Sequence, residues 1–196
     1  MIAVSAGHWE KARGAKNKNG FYEYPETLLW ANEIVSLLRG SLFNIPAVLV
    51  PAEDLATKVK FVNELVKTGR AKLAVEIHFN SSPGRAGRGS ETLYYPGSKS
   101  GERAANIVQS ALGSILPPNR GAKEGWYKMD RPGIQDYPDD KEGNETPDYF
   151  LAKTRCPALI IEPAFIQRQT VIEDMRSIAC EVIAAGLAEA LKELEV

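Results

Sequence analysis

Only two histidines occur in the chain, His8 and His78, and each stands at or just past the carboxyl end of an apolar run, IAVSAGH and LAVEIH. Glu162 ends a third such run, ALIIE, in the same way. Imidazole nitrogens and carboxylate oxygens are the donors of catalytic zinc sites, which take three protein ligands and leave a further position for water. Two histidines and a carboxylate converging on one sheet edge match that pattern. A single histidine beside a strand is more often a hydrogen-bonded structural residue. For both histidines of a chain to hold equivalent strand ends is harder to ascribe to chance.

The elements that must carry these residues follow from periodicity. Ile2 to Ala6, Ala47 to Val50, Leu73 to His78, Glu91 to Tyr95 and Ala158 to Glu162 read as strands, the buried ones as continuous apolar runs. Leu28, Ala31, Val35 and Leu38 repeat at helical spacing from Glu23 or Glu26 onward, and Gly40 stops that helix. Leu55, Val59, Val62 and Val66 mark a second amphipathic helix. Residues 101–116 form a third, ended by Pro117 and Pro118, and 170–194 a long C-terminal one. Residues 9–22 and the Pro83–Gly89 stretch read as loops.

Residues 119–149 are rich in Asp, Pro, Gly and Lys and read as a long irregular loop region near the site. Strands alternating with helices predict an α/β fold. We expect one domain over 1–196, with a twisted, mostly parallel sheet flanked by helices on both faces. In such sheets ligands bind beyond the carboxyl ends of the strands, where both histidines and Glu162 lie.

Bulk composition narrows the partners. The 196 residues suit a single domain, and 44% hydrophobic residues supply a core without disulfides. Cys156 and Cys180 read as buried small hydrophobes rather than thiolate ligands. Lys plus Arg total 24 against 25 for Asp plus Glu, so neither a general nucleic-acid binder nor an anionic-membrane binder is expected. The N-terminal MIAVSAGHW has none of the parts of a secretory signal, and no run is apolar enough to span a bilayer. A chain made in the cytoplasm, monomeric and without stable membrane association, is the expectation.

SAGHW, a glutamate opening the first helix, EIHFNSS, GSETLYY, NRGAK and PALIIEPAFI occur in that order. Together they resemble the zinc N-acetylmuramoyl-L-alanine amidases, in the catalytic-domain class shared by bacterial cell-separation amidases and phage endolysins. The resemblance runs over nearly the whole chain, and the HFN and IIEPAF segments are its specific parts. It implies one zinc ion per chain held by His8, His78 and a glutamate opening the first helix. Glu23 fits that place better than Glu26, because Leu28 and Ala31 then fall where the family puts its apolar helix residues. Trp9 and Glu10 replace the small residues usual after the first ligand. Glu162 matches the family's catalytic carboxylate, and Asn80 completes its HxN pattern.

The implied reaction cleaves the amide bond between the muramic acid lactyl group and L-alanine in peptidoglycan. Zinc lowers the pKa of a bound water and polarises the carbonyl. Glu162, its pKa raised at an apolar strand end, moves the proton to the departing amine. Arg120 and Lys123 are candidates for the stem peptide's carboxylates, with a solvated surface role as the alternative. Asn80 is a candidate substrate-side residue that more naturally orients His78 or the following loop.

The family usually has a shorter segment where GWYKMDRPGIQDYPDDKEGNETPDYF stands here. Asp136, Asp139 and Asp140 read as solvated loop charges, and Trp126, Tyr127 and Tyr137 either line the groove or pin the loop. An endolysin role, with release through a holin-type pore, suits a chain without a signal or an added wall-binding domain. Competing readings are another zinc hydrolase (carboxypeptidase or deacetylase), a non-catalytic wall-binding module, and a metal-free structural α/β protein.

Overall fold

The apolar runs become the strands of a six-stranded sheet. In the computed structural model, which describes residues 1–82, 87–128 and 145–194, these are β1 (Ile2–Ala6), β2 (Ala47–Leu49), β3 (Leu73–Ile77), β4 (Ser90–Tyr94), β5 (Asn119–Glu124) and β8 (Ala158–Glu162). The order across the sheet is β2-β1-β3-β8-β4-β5. Every ladder is parallel except β4 against β8. This reversal has a consequence for the site. The amino ends of β4 and β5 reach the same edge as the carboxyl ends of β1, β3 and β8, so Glu91 stands opposite Glu162 in register.

Side chains alternate between the two faces of a strand, and the core divides accordingly. Ile2, Val4, Val75, Ile77, Leu159 and Ile161 pack under α1 (Glu23–Arg39), α3 (Lys99–Ile115) and α5 (Gln169–Glu193). Ala3, Ala74, Leu93 and Ile160 face α2 (Leu55–Lys67) and α4 (Tyr149–Lys153), meeting Val59, Val62, Phe150 and Leu151. Ser5, Glu76, Glu91 and Glu162 share the parity of that second set. The buried carboxylates of these strands therefore gather on the α2/α4 face, at the edge where the histidines lie.

Helix ends are fixed locally. Asp54 accepts from the Thr57 amide at the start of α2, and Ser98 from the Gly101 amide at the start of α3, each satisfying an amide the helix leaves unpaired. No side chain caps α1, whose first turn instead carries Glu23 and Glu26 at the positive end of the helix dipole.

The sheet, its mostly parallel ladders and the helices on both faces match the sequence reading. Three points differ. Residues 119–124 form edge strand β5, and β6 (Trp126–Lys128) pairs with β7 (Glu145–Pro147) as an antiparallel two-stranded sheet, so the stretch 119–149 is not irregular throughout. NRGAKE carries no alternating apolar pattern, because an edge strand has one neighbour and is only partly buried. Asp136, Tyr137, Asp139 and Asp140 lie outside the described residues. Cys180 is buried, whereas Cys156 is only partly so; both are free thiols.

Candidate metal centre

The site is built on β1, β3, β8 and the start of α1. His8 stands just past β1, with a positive φ of 63°, a conformation that residues other than glycine rarely adopt. The loop between His8 and α1 folds back so that the Glu23 amide donates to the Ala15 carbonyl at 2.9 Å and the Tyr24 amide to that of Arg13 at 3.1 Å. Gly14, at φ +71°, has no room for a side chain: a Cβ there would collide with the His8 imidazole and with Glu23 Oε2. Gly7 is equally confined, since a Cβ would strike the Ile77 carbonyl and the His78 ring.

Glu23 is buried and lies between the two imidazoles. Its Oε2 is 3.1 Å from His8 Nε2 and its Oε1 3.0 Å from His78 Nδ1. The Phe79 and Ala15 amides donate to the same two oxygens at 2.9 and 3.1 Å. Burial alone would raise the Glu23 pKa, but hydrogen bonds and charge from His78 and His8 outweigh it and hold the carboxyl well below the usual carboxylate range. The two rings meet edge to face with centroids 4.9 Å apart.

Donor atoms of His8, Glu23 and His78 all lie within 4.8 Å of one another. Zinc bonds of about 2.0–2.2 Å to nitrogen and oxygen need donors this close, and two imidazoles with one carboxylate are a catalytic zinc set. The residues fit the ion.

The second glutamate of α1, Glu26, points elsewhere. It accepts from Trp30 Nε1 and pairs with Arg176, both at 3.2 Å. Glu23, which helical register favoured over Glu26, is the glutamate that lies beside the two histidines.

Behind His78 lies Glu76, whose Oε2 is 3.2 Å from His78 Nε2. Burial opposes a charged imidazole at His78, yet Glu23 and Glu76 together push its pKa well above the usual histidine value. Glu76 is itself drawn down to about 2; burial acts against this, and His78 and the Lys58 ammonium prevail. Asp148, capping α4, is held above the usual range by burial and by the charge of Glu76.

Glu162 is 3% exposed, and its Oε2 has no hydrogen-bond partner among the described residues. Burial first, and then the Glu91 carboxylate opposite, raise its pKa to about 8. Glu91 is fully buried and heavily engaged: Lys123 Nζ reaches Oε2 at 3.0 Å, Arg120 reaches Oε1 at 3.2 Å, and Asn80 Nδ2 also donates to Oε1. The Arg120 guanidinium lies 4.9 Å from the Phe165 ring centre.

Among the described residues the Asn80 side chain bonds Glu91 rather than His78. Arg120 and Lys123, expected on the substrate or in solvent, are both drawn to Glu91. Glu91 and Glu76 went unnoticed in the sequence. A carboxylate within the apolar run LAVEI was a visible signal for Glu76, whereas the place of Glu91 depends on an antiparallel register that periodicity does not reveal.

A family model described as N-acetylmuramoyl-L-alanine amidase matches residues 2–193. No curated protein sequence matches the chain. Among solved structures, the chain is similar to the N-acetylmuramoyl-L-alanine amidase AmiC2 of Nostoc punctiforme, at 21% identity and a TM-score of 0.75, over 98% of this chain and 97% of that one. It is similar to an N-acetylmuramoyl-L-alanine amidase from Clostridium difficile 630, at 21% identity and a TM-score of 0.71, over 98% and 94% of the two chains. It also resembles the catalytic domain of the CD27L endolysin targeting Clostridia difficile, at 24% identity and a TM-score of 0.64, over 98% and 96%.

Proposed function

The chain belongs to the N-acetylmuramoyl-L-alanine amidase family, and from that premise we propose that it is a zinc-dependent hydrolase of the amide bond between muramic acid and L-alanine in peptidoglycan. The observation that carries the zinc dependence is the convergence of His8, Glu23 and His78 at one sheet edge. These three residues would hold a single ion. When bound, zinc supplies an acidified water and a Lewis acid for the amide carbonyl.

The chain's own groups do the rest. Glu162 takes a proton from the attacking water and delivers it to the departing L-alanine amine, which would otherwise leave as an unstable anion. In the metal-free chain the Glu162 pKa is raised, to about 8, by burial and by Glu91, and proton transfer is most efficient when the group's pKa lies near the working pH. Burial, and then the Glu91 carboxylate, disfavour the ionised form of Glu162, and Asn80, Arg120 and Lys123 hold Glu91 in place. Arg120 and Lys123 retain 23% and 25% side-chain exposure, so each also offers a cation to a carboxylate of the stem peptide. An endolysin-type lytic role belongs to the same proposal, and lysis of intact cells by the added protein tests it.

Elemental analysis of the purified protein, paired with turnover of isolated peptidoglycan before and after chelation, tests the proposal. About one zinc per chain, activity lost on chelation and regained with zinc, and new L-alanine amines without new reducing ends are expected. Release of a terminal amino acid or of acetate instead would reassign the site to a carboxypeptidase or deacetylase. Absence of zinc binding would reduce both histidines to structural residues.

A further inference from the structure

Lys58 is one of the largest fully buried side chains, 2% exposed, and the amidase reaction gives it no task. A buried ammonium needs compensation, since taking an ion out of water costs several kcal/mol, and here the compensation points at the metal ligands. Lys58 rises from α2 to the α2/α4 face of the sheet. There Nζ donates to the Ala6 carbonyl at 2.5 Å, to the His8 carbonyl at 2.7 Å and to Glu76 Oε1 at 3.0 Å. All three hydrogens are used.

Two of these three bonds lead to a histidine. The His8 carbonyl belongs to the residue held at φ 63°, and such a backbone persists only where its surroundings over-determine it. Glu76 divides its two oxygens. Oε1 takes Lys58 and the Ser5 hydroxyl, the latter at 3.1 Å, while Oε2 faces His78 Nε2 at 3.2 Å. His78 Nδ1 is thereby turned to Glu23 and the ligand cluster. A carboxylate on the far nitrogen of a ligating histidine fixes both the ring's orientation and which nitrogen keeps its proton.

Resting on the zinc reading of the cluster, we propose that Lys58 and Glu76 are positioning residues for the metal centre. One ammonium sets both histidines, His8 through its backbone and His78 through the Glu76 carboxylate. A second element, α2, is thus wired to a site whose ligands come from β1, β3 and α1.

Removing one member alone breaks the buried Lys58–Glu76 ion pair and leaves the other charge under-compensated, and such a variant can fail simply by unfolding. The double variant Lys58→Met with Glu76→Leu removes both charges together and is the appropriate test. Zinc affinity, by competition with a chromogenic chelator, and the thermal midpoint are measured on the full chain. Ring ¹⁵N shifts of the two histidines in the zinc-loaded wild-type protein supply a readout that needs no variant.

The expected result is a double variant that keeps its cooperative transition but binds zinc about 10- to 100-fold more weakly. In the wild type, His78 should carry its proton on Nε2, in a strong hydrogen bond. A folded double variant with zinc affinity within twofold of wild type would overturn the inference. So would a His78 protonated on Nδ1 in the zinc-loaded wild type. Failure of the wild type to bind zinc would overturn the metal reading itself, and this inference with it, which separates the two failures.

Discussion

A buried carboxyl oxygen with no hydrogen-bond donor among the described residues, such as Glu162 Oε2, is cheaper protonated than ionised. That preference can be read in stability. In the metal-free protein the folded-state pKa of about 8 lies above the ordinary 4.5. The folded chain therefore holds the extra proton between those values, and the stabilisation is complete below pH 4.5 and lost as pH rises through 8. Urea unfolding of metal-free wild type should accordingly lose on the order of a few kcal/mol between about pH 5 and pH 9 relative to Glu162→Gln. Parallel curves would show that Glu162 ionises normally. With zinc restored, Glu162→Gln should lower kcat by about 10²- to 10⁴-fold while zinc stays bound, and normal turnover would remove Glu162 from proton transfer. The two glutamates of α1 separate in the same way. Glu23→Gln should cost zinc affinity at least about tenfold, because the amide is a weaker donor than the carboxylate. Glu26→Gln should leave affinity intact and cost about 1 kcal/mol through the half-exposed Arg176 pair. Equal metal affinity in both variants would sink the assignment of Glu23.

At the scale of elements, what the sequence could reveal depended on burial. The strands β1, β3 and β8 are covered on both faces, so they read as apolar runs and brought His8, His78 and Glu162 to one edge before any coordinates. β5 escaped notice because one side of it is open, and α4 because its five residues carry less than two turns of periodicity. The site half organised by Glu91 depends on β4 running against β8, and strand direction leaves no trace in a five-residue pattern. The strap of residues 9–22 was legible only as polar and glycine-bearing, yet it fixes the first turn of α1. Gly14 is where that strap touches the ligands. Gly14→Ala must adopt a left-handed backbone and displace either the His8 ring or Glu23. We expect a stability loss of about 1–3 kcal/mol together with zinc binding weakened more than tenfold. A loss of stability with unchanged zinc affinity would mean that the strap bends away without moving either ligand.

For the molecule as a whole, the ligand set spans its layers: Glu23 comes from the helix layer of α1, and His8 and His78 come from the sheet. In the metal-free state two imidazoles and four carboxylates (Glu23, Glu76, Glu91, Glu162) crowd one edge of the sheet. The cost of burying them is met by pairing, the buried Lys58 among the partners, and by proton uptake. An ion that binds only the folded arrangement shifts unfolding by RT ln(1 + [L]/Kd), about 2.7 kcal/mol at a hundredfold excess over Kd. For a domain of this size each kcal/mol moves the midpoint by about 2–4 °C, so zinc at that excess should raise it by about 5–10 °C. The rise should reverse with chelator and disappear in His78→Ala. Because the ligands lie on both layers, circular dichroism and intrinsic fluorescence should report the same shift, Trp30 of α1 lying in the larger core and packing edge to face on Phe79 at 5.4 Å. A shift seen by one probe and not the other would mean that zinc braces only the loop edge, leaving the sheet and its helices to unfold on their own terms.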